Sequence, residues 1–439
     1  DSRNDLLSGE WLFGRGIMDM KTGLAMQMSL LEYYSKKEDF KGNLMLLAVP
    51  DEETNSEGAI ATIPFANRVI EKYNLEPIAV LNCEPDFAAY PGDHNKYIYL
   101  GTVGKLLPGF YIVGKETHVG ESLSGLNANL IAGELLCRLE VSTELCEEVD
   151  GEVTMPPTCL KYEDTKKLYN VQTPVAGVMY YNLQTMKMNP KEAVEKLTTI
   201  ANKAIDAASQ KVKKNAELYK NRAKIPLKEP KFDVKVLTFN ELYNQVLEDN
   251  GEDFKNHIDK MIKVWLKDDS LDERGVSSNI VGEVHKFSKD RSPMIIIFFA
   301  PPYYPHVGLN EDKEFDKKLI EAADKIIDKA KNEYGVEIKK QKYFQGLSDL
   351  SYFALEDAEE VMEYLKPNMP SLGYRYTLPL EEIKKLNIPV INYGPHGRDA
   401  HKFTERILVD YSYEVVPKLV RNLVEEIFNI SVEEKASNI

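Results

Sequence analysis

Apolar positions along the chain fall into two periods. Leu24, Met28, Leu31 and Tyr34 recur three to four residues apart and predict an amphipathic helix, and a second helix is expected over residues 59–72. Each is followed by a continuous apolar stretch, residues 43–49 and 78–82, of the kind that forms strands buried on both faces. This alternation predicts a parallel sheet covered by helices on both sides. In such sheets ligands sit beyond the carboxyl ends of the strands. Acidic groups occur at those places: Asp51-Glu52-Glu53 follows Pro50, and Glu84-Pro85-Asp86 follows Cys83.

From about residue 105 the pattern changes. A strand over 107–115, a helix over 127–139, a strand over 176–182 and a long helix from Pro190 to about residue 218 predict a smaller layer of sheet and helices. Pro226 and Pro230 punctuate a short strand over 232–238, and the inserted unit is expected to end near residue 240. Residues 241–267 read as an additional helical segment without a motif. The alternating pattern then resumes, with strands over 294–299, 336–343 and 389–393 and helices over 312–332, 350–365 and 413–428. The expected division is therefore 1–104, 105–240 and 241–439, the first and last parts forming one α/β domain.

A length of 439 residues agrees with two domains rather than one core. The composition, 43% hydrophobic and 28% charged, is that of a soluble globular protein. The longest apolar run, residues 294–300, is too short to span a bilayer, so no membrane partner is expected. A net charge of -15, spread over the helices, disfavours nucleic acid as a partner. Cys83, Cys137, Cys146 and Cys159 show no Cys-x-x-Cys spacing and read as free thiols of a cytoplasmic protein. The chain opens Asp1-Ser2-Arg3-Asn4 without an initiator methionine, which reads as a processed chain or a fragment.

The candidate chemistry starts at Asp19, in the turn Gly14-Arg15-Gly16-Ile17-Met18-Asp19-Met20-Lys21-Thr22-Gly23. There a carboxylate either caps the following helix or faces a cleft. Asp51-Glu52-Glu53 is either a solvated acidic turn or a pair of working carboxylates, one ligating a cation and one acting as base. Glu84 carries the same two readings. Near the end, Gly394-Pro395-His396-Gly397-Arg398-Asp399-Ala400-His401 offers two loop histidines, and spacing does not choose between them. His118 follows a predicted strand, and Asn127 reads as a helix N-cap. A dinucleotide fingerprint is excluded because Gly14-Arg15-Gly16 lacks its third glycine, and neither a Gly-x-Ser-x-Gly elbow nor a His-Glu-x-x-His helix occurs.

The order of these motifs resembles the M20 metallopeptidases. It runs from Gly-Arg-Gly-x-x-Asp-Met-Lys through Asp-Glu-Glu, Glu-Pro and Gly-x-x-x-His to Gly-Pro-x-Gly-x-x-x-His. Residues 158–174 and the stretch Phe298-Phe299-Ala300-Pro301-Pro302-Tyr303-Tyr304-Pro305 look most like the RocB-type arginine-utilisation branch. The resemblance implies a doubly wound catalytic domain interrupted by an α+β lid at 105–240 that dimerises. It further implies two zinc ions, replaceable by cobalt or manganese, bridged by Asp19. Glu53 and His401 would complete one site, and Glu84 would bind the other ion. Glu52 would be the general base, and His118 would reach a partner subunit's site. Asn127, Asp349 in Gly346-Leu347-Ser348-Asp349, and Gly394 would lie at the small-molecule substrate. The Asp19–Met20 peptide would be cis.

Three departures stand out, one of them the extra segment after about residue 241, which enlarges the chain beyond the compact family members. The family's His-x-Asp motif, which supplies a further ligand, does not precede Asp19 here. Gln184 stands near the place of a substrate-binding arginine, and an amide cannot make a bidentate ion pair with a carboxylate. The expected function is hydrolysis of an amide, N-acyl or peptide bond in a small amino-acid derivative, with arginine catabolism as the setting. The alternative is a non-catalytic binding or regulatory protein that keeps the fold with an incomplete metal site.

Overall fold

The computed structural model describes residues 2–90 and 92–437, with side chains as far as residue 430. Its architecture is mixed α/β. The larger sheet runs in the order Lys235–Thr238, Met294–Phe299, Pro108–Val113, Ala176–Thr185, Gly104–Leu106, with Thr158–Asp164 beside Ala176–Thr185. The run Met294–Phe299 lies inside this sheet and sends alternate side chains to opposite faces. Ile295, Ile297 and Phe299 pack with Ile131, Leu135 and Leu197 from helices Ala128–Leu139 and Pro190–Ala223. Met294, Ile296 and Phe298 pack with Leu242, Ile258, Val276 and Ile280 from helices Phe239–Trp265 and Glu273–Phe287. A strand covered on both faces must be apolar at every position, which accounts for this uninterrupted stretch.

The expected division at residue 240 falls inside this sheet. Met294–Phe299 pairs antiparallel with Pro108–Val113 and parallel with Lys235–Thr238. The helical segment that showed no motif is the cover of the sheet's second face. It begins at a capping box in which Thr238 and Glu241 satisfy each other's backbone N–H groups.

The smaller sheet has the order Ile338–Gln341, Lys96–Tyr99, Val390–Asn392, Val80–Asn82. Its outer pairs are parallel, but Val390–Asn392 meets Lys96–Tyr99 antiparallel, so the sheet is mixed rather than wholly parallel. Ile98 and Ile391 pack with Met26, Leu319 and Leu419 of helices Thr22–Ser35, Glu314–Tyr334 and Val416–Ser437. Val390 packs on the opposite side with Ile63 of helix Glu57–Tyr73.

Two expected elements differ. Residues 350–365 form short turns instead of one helix, because the backbone is extended at Ala354 and the Phe353 carbonyl accepts from Ile388 N–H at the entry to the last strand of the small sheet. Residues 43–49 form neither helix nor strand and join no sheet. A ladder needs a neighbour at hydrogen-bonding distance, and this stretch instead borders a cavity of about 1240 Å³ whose other wall includes residues 77–83. Val80–Asn82 is the edge of the small sheet on that side. Among the described residues no helix is long and apolar enough to cross a membrane.

Candidate metal centre

The turn that presents Asp19 is held from across the fold. Glu405, fully buried, accepts backbone N–H groups from Gly16 at 2.9 Å, Met18 at 3.0 Å and Asp19 at 3.3 Å, and pairs with the Arg15 guanidinium. Three converging N–H donors form a nest for one carboxylate, which sets the path of the turn. Gly16 takes a φ of 71°, a region that costs glycine little. The Asp19–Met20 peptide is cis. Glu405 carried no role in the sequence reading. Its only signal was an acid four residues after His401, and its partners lie almost the whole chain away.

Asp19, Glu53 and His401 come together. His401 Nε2 lies 2.9 Å from Asp19 Oδ2 and 2.9 Å from Glu53 Oε1, and one ligating atom from each residue falls within 4.8 Å of the others. The choice between the two histidines is made by the loop. His401 has a φ of 62°, which turns it toward the acids. His396 is buried, and its Nδ1 sits 2.6 Å from Asp86 Oδ1. Asp86 N–H also donates to the Pro395 carbonyl at 3.0 Å, so this pair ties the loop after Glu84 to the loop that carries His401. The packing there is close: a Cβ on Gly23 would overlap the Cys83 carbonyl, and one on Gly394 the Glu84 carbonyl.

The remaining acids lie deeper. Glu84 is buried and accepts from Ser348 Oγ at 3.0 Å; burial, then the charge of Glu52, holds its carboxyl well above the usual range. Glu52 is pushed up to about 7, first by burial and then by Asp349, Glu53 and Asp19. Burial raises Asp349 to about 6, and neither of its carboxylate oxygens has a hydrogen-bond partner among the described residues. A carboxyl whose folded pKa exceeds its unfolded value binds more protons in the native state, so stability falls as pH rises through that window. For Glu52 the window runs from 4.5 to about 7. In metal-free protein Glu52→Gln therefore raises stability at pH 8, by about 1–2 kcal/mol after allowing for solvent screening, and has little effect at pH 4. Urea midpoints of the two proteins at both pH values test this, and equal differences at the two would refute it.

The other candidates occupy different places. Asp349 lines the cavity shared by Asp19, Glu52, Glu53, Glu84 and His401. His118 and Asn127 do not. His118 Nδ1 accepts from Gly120 N–H at 3.0 Å at the start of a single turn, and the Asn127 side chain caps helix Ala128–Leu139 through Asn129 N–H at 2.9 Å. Gly394 acts here through close approach. Gln184 is engaged on both sides, accepting from Met155 N–H and donating to the Gln345 carbonyl, each at 3.1 Å.

The chain is similar to known proteins over most of its length. Residues 6–425 match the profile of Peptidase family M20/M25/M40. The chain is 40% identical over 419 residues to the uncharacterized protein YqjN of Bacillus subtilis (strain 168), covering 95% of this chain and 74% of that protein. It is 35% identical over 422 residues to protein RocB of the same organism, covering 96% and 74%. Among solved structures, an M20 family metallo-carboxypeptidase from Sulfolobus solfataricus aligns with a TM-score of 0.45 at 12% identity, covering 95% of this chain and 78% of that one. With nearly its whole length matched by the family profile and by two such relatives, the chain belongs to peptidase family M20.

Proposed function

We propose that this M20 metallohydrolase is zinc-dependent and cleaves an amide or N-acyl bond of a small amino-acid derivative, in the cytoplasm and in arginine catabolism. The observation that carries the reading is the meeting of Asp19, Glu53 and His401 within 4.8 Å, beside the half-buried Glu52. Two carboxylates and an imidazole are a donor set that zinc accepts, and cobalt or manganese would also be held. Asp19, Glu53 and His401 would hold one ion, and Asp19 with Glu84 the other. When bound, the metal supplies a polarised acyl carbonyl and a more acidic water. Glu52 takes a proton from the attacking water and delivers it to the leaving amine; a carboxyl poised near neutrality suits both transfers.

The catalytic domain would comprise residues 1–104 and the C-terminal part, with a lid between them that dimerises. The pairing of Met294–Phe299 with Pro108–Val113 supports moving the lid's end from 240 to about 300. His118, outside the cavity of its own chain, would serve the partner subunit's site.

A second reading, a binding or regulatory protein with an incomplete site, is favoured by one observation: among the described residues Glu84 stands outside the three-residue cluster. The test is metal content and turnover of the full gene product with N-acyl amino acids and dipeptides. Two metal ions per subunit with hydrolysis are expected; one ion or none without turnover supports the second reading.

A further inference from the structure

We propose that Arg274 is a positioning residue for Glu52 and Glu53: by holding Asn55 it fixes the loop that carries both acids. Its effect on turnover rests on the hydrolase reading above, while its effect on the loop does not.

The loop that follows Pro50 is strained. Asp51 takes a φ of 73° and Ser56 one of 55°. Left-handed conformations cost a residue that carries a Cβ and persist only where the surroundings hold them. Part of the hold is internal: the Asp51 carboxylate accepts from Thr54 Oγ1, from Glu57 N–H at 3.1 Å and from Asn55 N–H at 3.4 Å. Two residues distant in sequence add to it. The Tyr304 hydroxyl lies 2.7 Å from Ser56 Oγ and 3.5 Å from the Glu52 carbonyl oxygen. Arg274 Nη1 donates to Asn55 Oδ1 at 2.9 Å.

Arg274 is itself well anchored. It stands in the first turn of helix Glu273–Phe287, which covers the second face of the larger sheet. Asp272 at 2.9 Å and Glu273 at 3.5 Å, its neighbours in sequence, orient the guanidinium. Its carbonyl accepts from the buried Tyr180 hydroxyl at 2.5 Å, and Glu273 also meets Arg375 at 3.7 Å. The bond to Asn55 extends this frame to the acid loop, and a charged donor makes such a bond stronger than a neutral one. Asp51, Glu52, Glu53 and Thr54 line the cavity, whereas Arg274 and Asn55 do not. Arg274 therefore acts on the acids through the loop and not through a ligand. The two acids have different tasks, Glu53 meeting His401 at 2.9 Å and Glu52 serving proton transfer, and a shift of the loop re-aims both side chains at once.

The test compares the full-length protein with Arg274→Met, Arg274→Lys, Asn55→Ala and the double variant of Arg274→Met with Asn55→Ala. Hydrogen–deuterium exchange over residues 51–57 and zinc titration need no substrate. Steady-state hydrolysis of an N-acyl amino acid by the zinc-loaded proteins supplies kcat and KM. In Arg274→Met, loop exchange is expected to quicken about tenfold, zinc affinity to fall about tenfold, and kcat to fall about 10- to 100-fold with KM almost unchanged. Asn55→Ala gives the same losses and the double variant adds nothing to them, because both substitutions cut one tie. Arg274→Lys falls between wild type and Arg274→Met. Glu283→Ala removes the 2.8 Å tie to His257 further along the same helix, so it lowers stability and leaves loop exchange unchanged. Unchanged loop exchange in Arg274→Met overturns the proposal, as do additive losses, a loss carried by KM, or the same effect from Glu283→Ala. Faster loop exchange with weaker zinc binding supports the positioning role even where wild type shows no turnover and the hydrolase reading fails. Turnover that Arg274→Met leaves intact overturns the positioning role and keeps the hydrolase reading.

Discussion

Replacing Glu52 by Gln lowers kcat of the full-length, zinc-loaded protein about a thousandfold while leaving its zinc content unchanged. Gln keeps the shape and one acceptor oxygen but cannot take up a proton, and general-base catalysis contributes about 10²- to 10⁴-fold. Glu52 suits the role because its carboxyl is raised to about 7 by burial and by the neighbouring acids, so it can both receive and release a proton near neutral pH. Its neighbour Glu53 sits against His401 instead, 2.9 Å from Nε2. The measurement is steady-state hydrolysis of an N-acyl amino acid alongside metal analysis of the same sample. Activity within tenfold of wild type would remove Glu52 from proton transfer. Loss of zinc together with activity would make it a ligand.

The second large effect belongs to a residue that holds the Asp19 turn through its backbone. Glu405→Ala destabilises the fold by about 3–5 kcal/mol and weakens zinc binding at least tenfold. The substitution strands three N–H groups, those of Gly16, Met18 and Asp19, and leaves Arg15 without its acid. Asp19 is then presented on a turn that nothing holds. Glu405→Gln retains one acceptor and is expected to fall between wild type and Ala in both properties. Thermal unfolding and zinc titration of the three proteins check this. A Glu405→Ala protein with wild-type unfolding and wild-type zinc affinity would show that the turn holds itself.

Comparing these two residues shows where the sequence is legible. Glu52 is conspicuous because three adjacent acids after an apolar stretch form a local pattern. Glu405 shows no such pattern: its significance comes from backbone donors at the other end of the chain, and a backbone N–H leaves no mark on residue type. The same limit applies to His396 and His401, separated by four residues. One is buried against Asp86 and the other meets Asp19 and Glu53, a difference made by the loop's path rather than by composition. Residues 43–49 carry a strand's composition, yet a strand is defined by its neighbours, and here the neighbouring space is a cavity.

The sequence by itself determined the mixed α/β class, the positions of most helices and strands, and the family, because apolar periodicity and an ordered set of motifs are local properties of the chain. The tertiary structure alone decided which strands pair across residue 240, which histidine faces the acids, and what holds the Asp19 turn. Each of these depends on groups distant in sequence meeting in space, through hydrogen bonds, ion pairs and burial that no single stretch encodes.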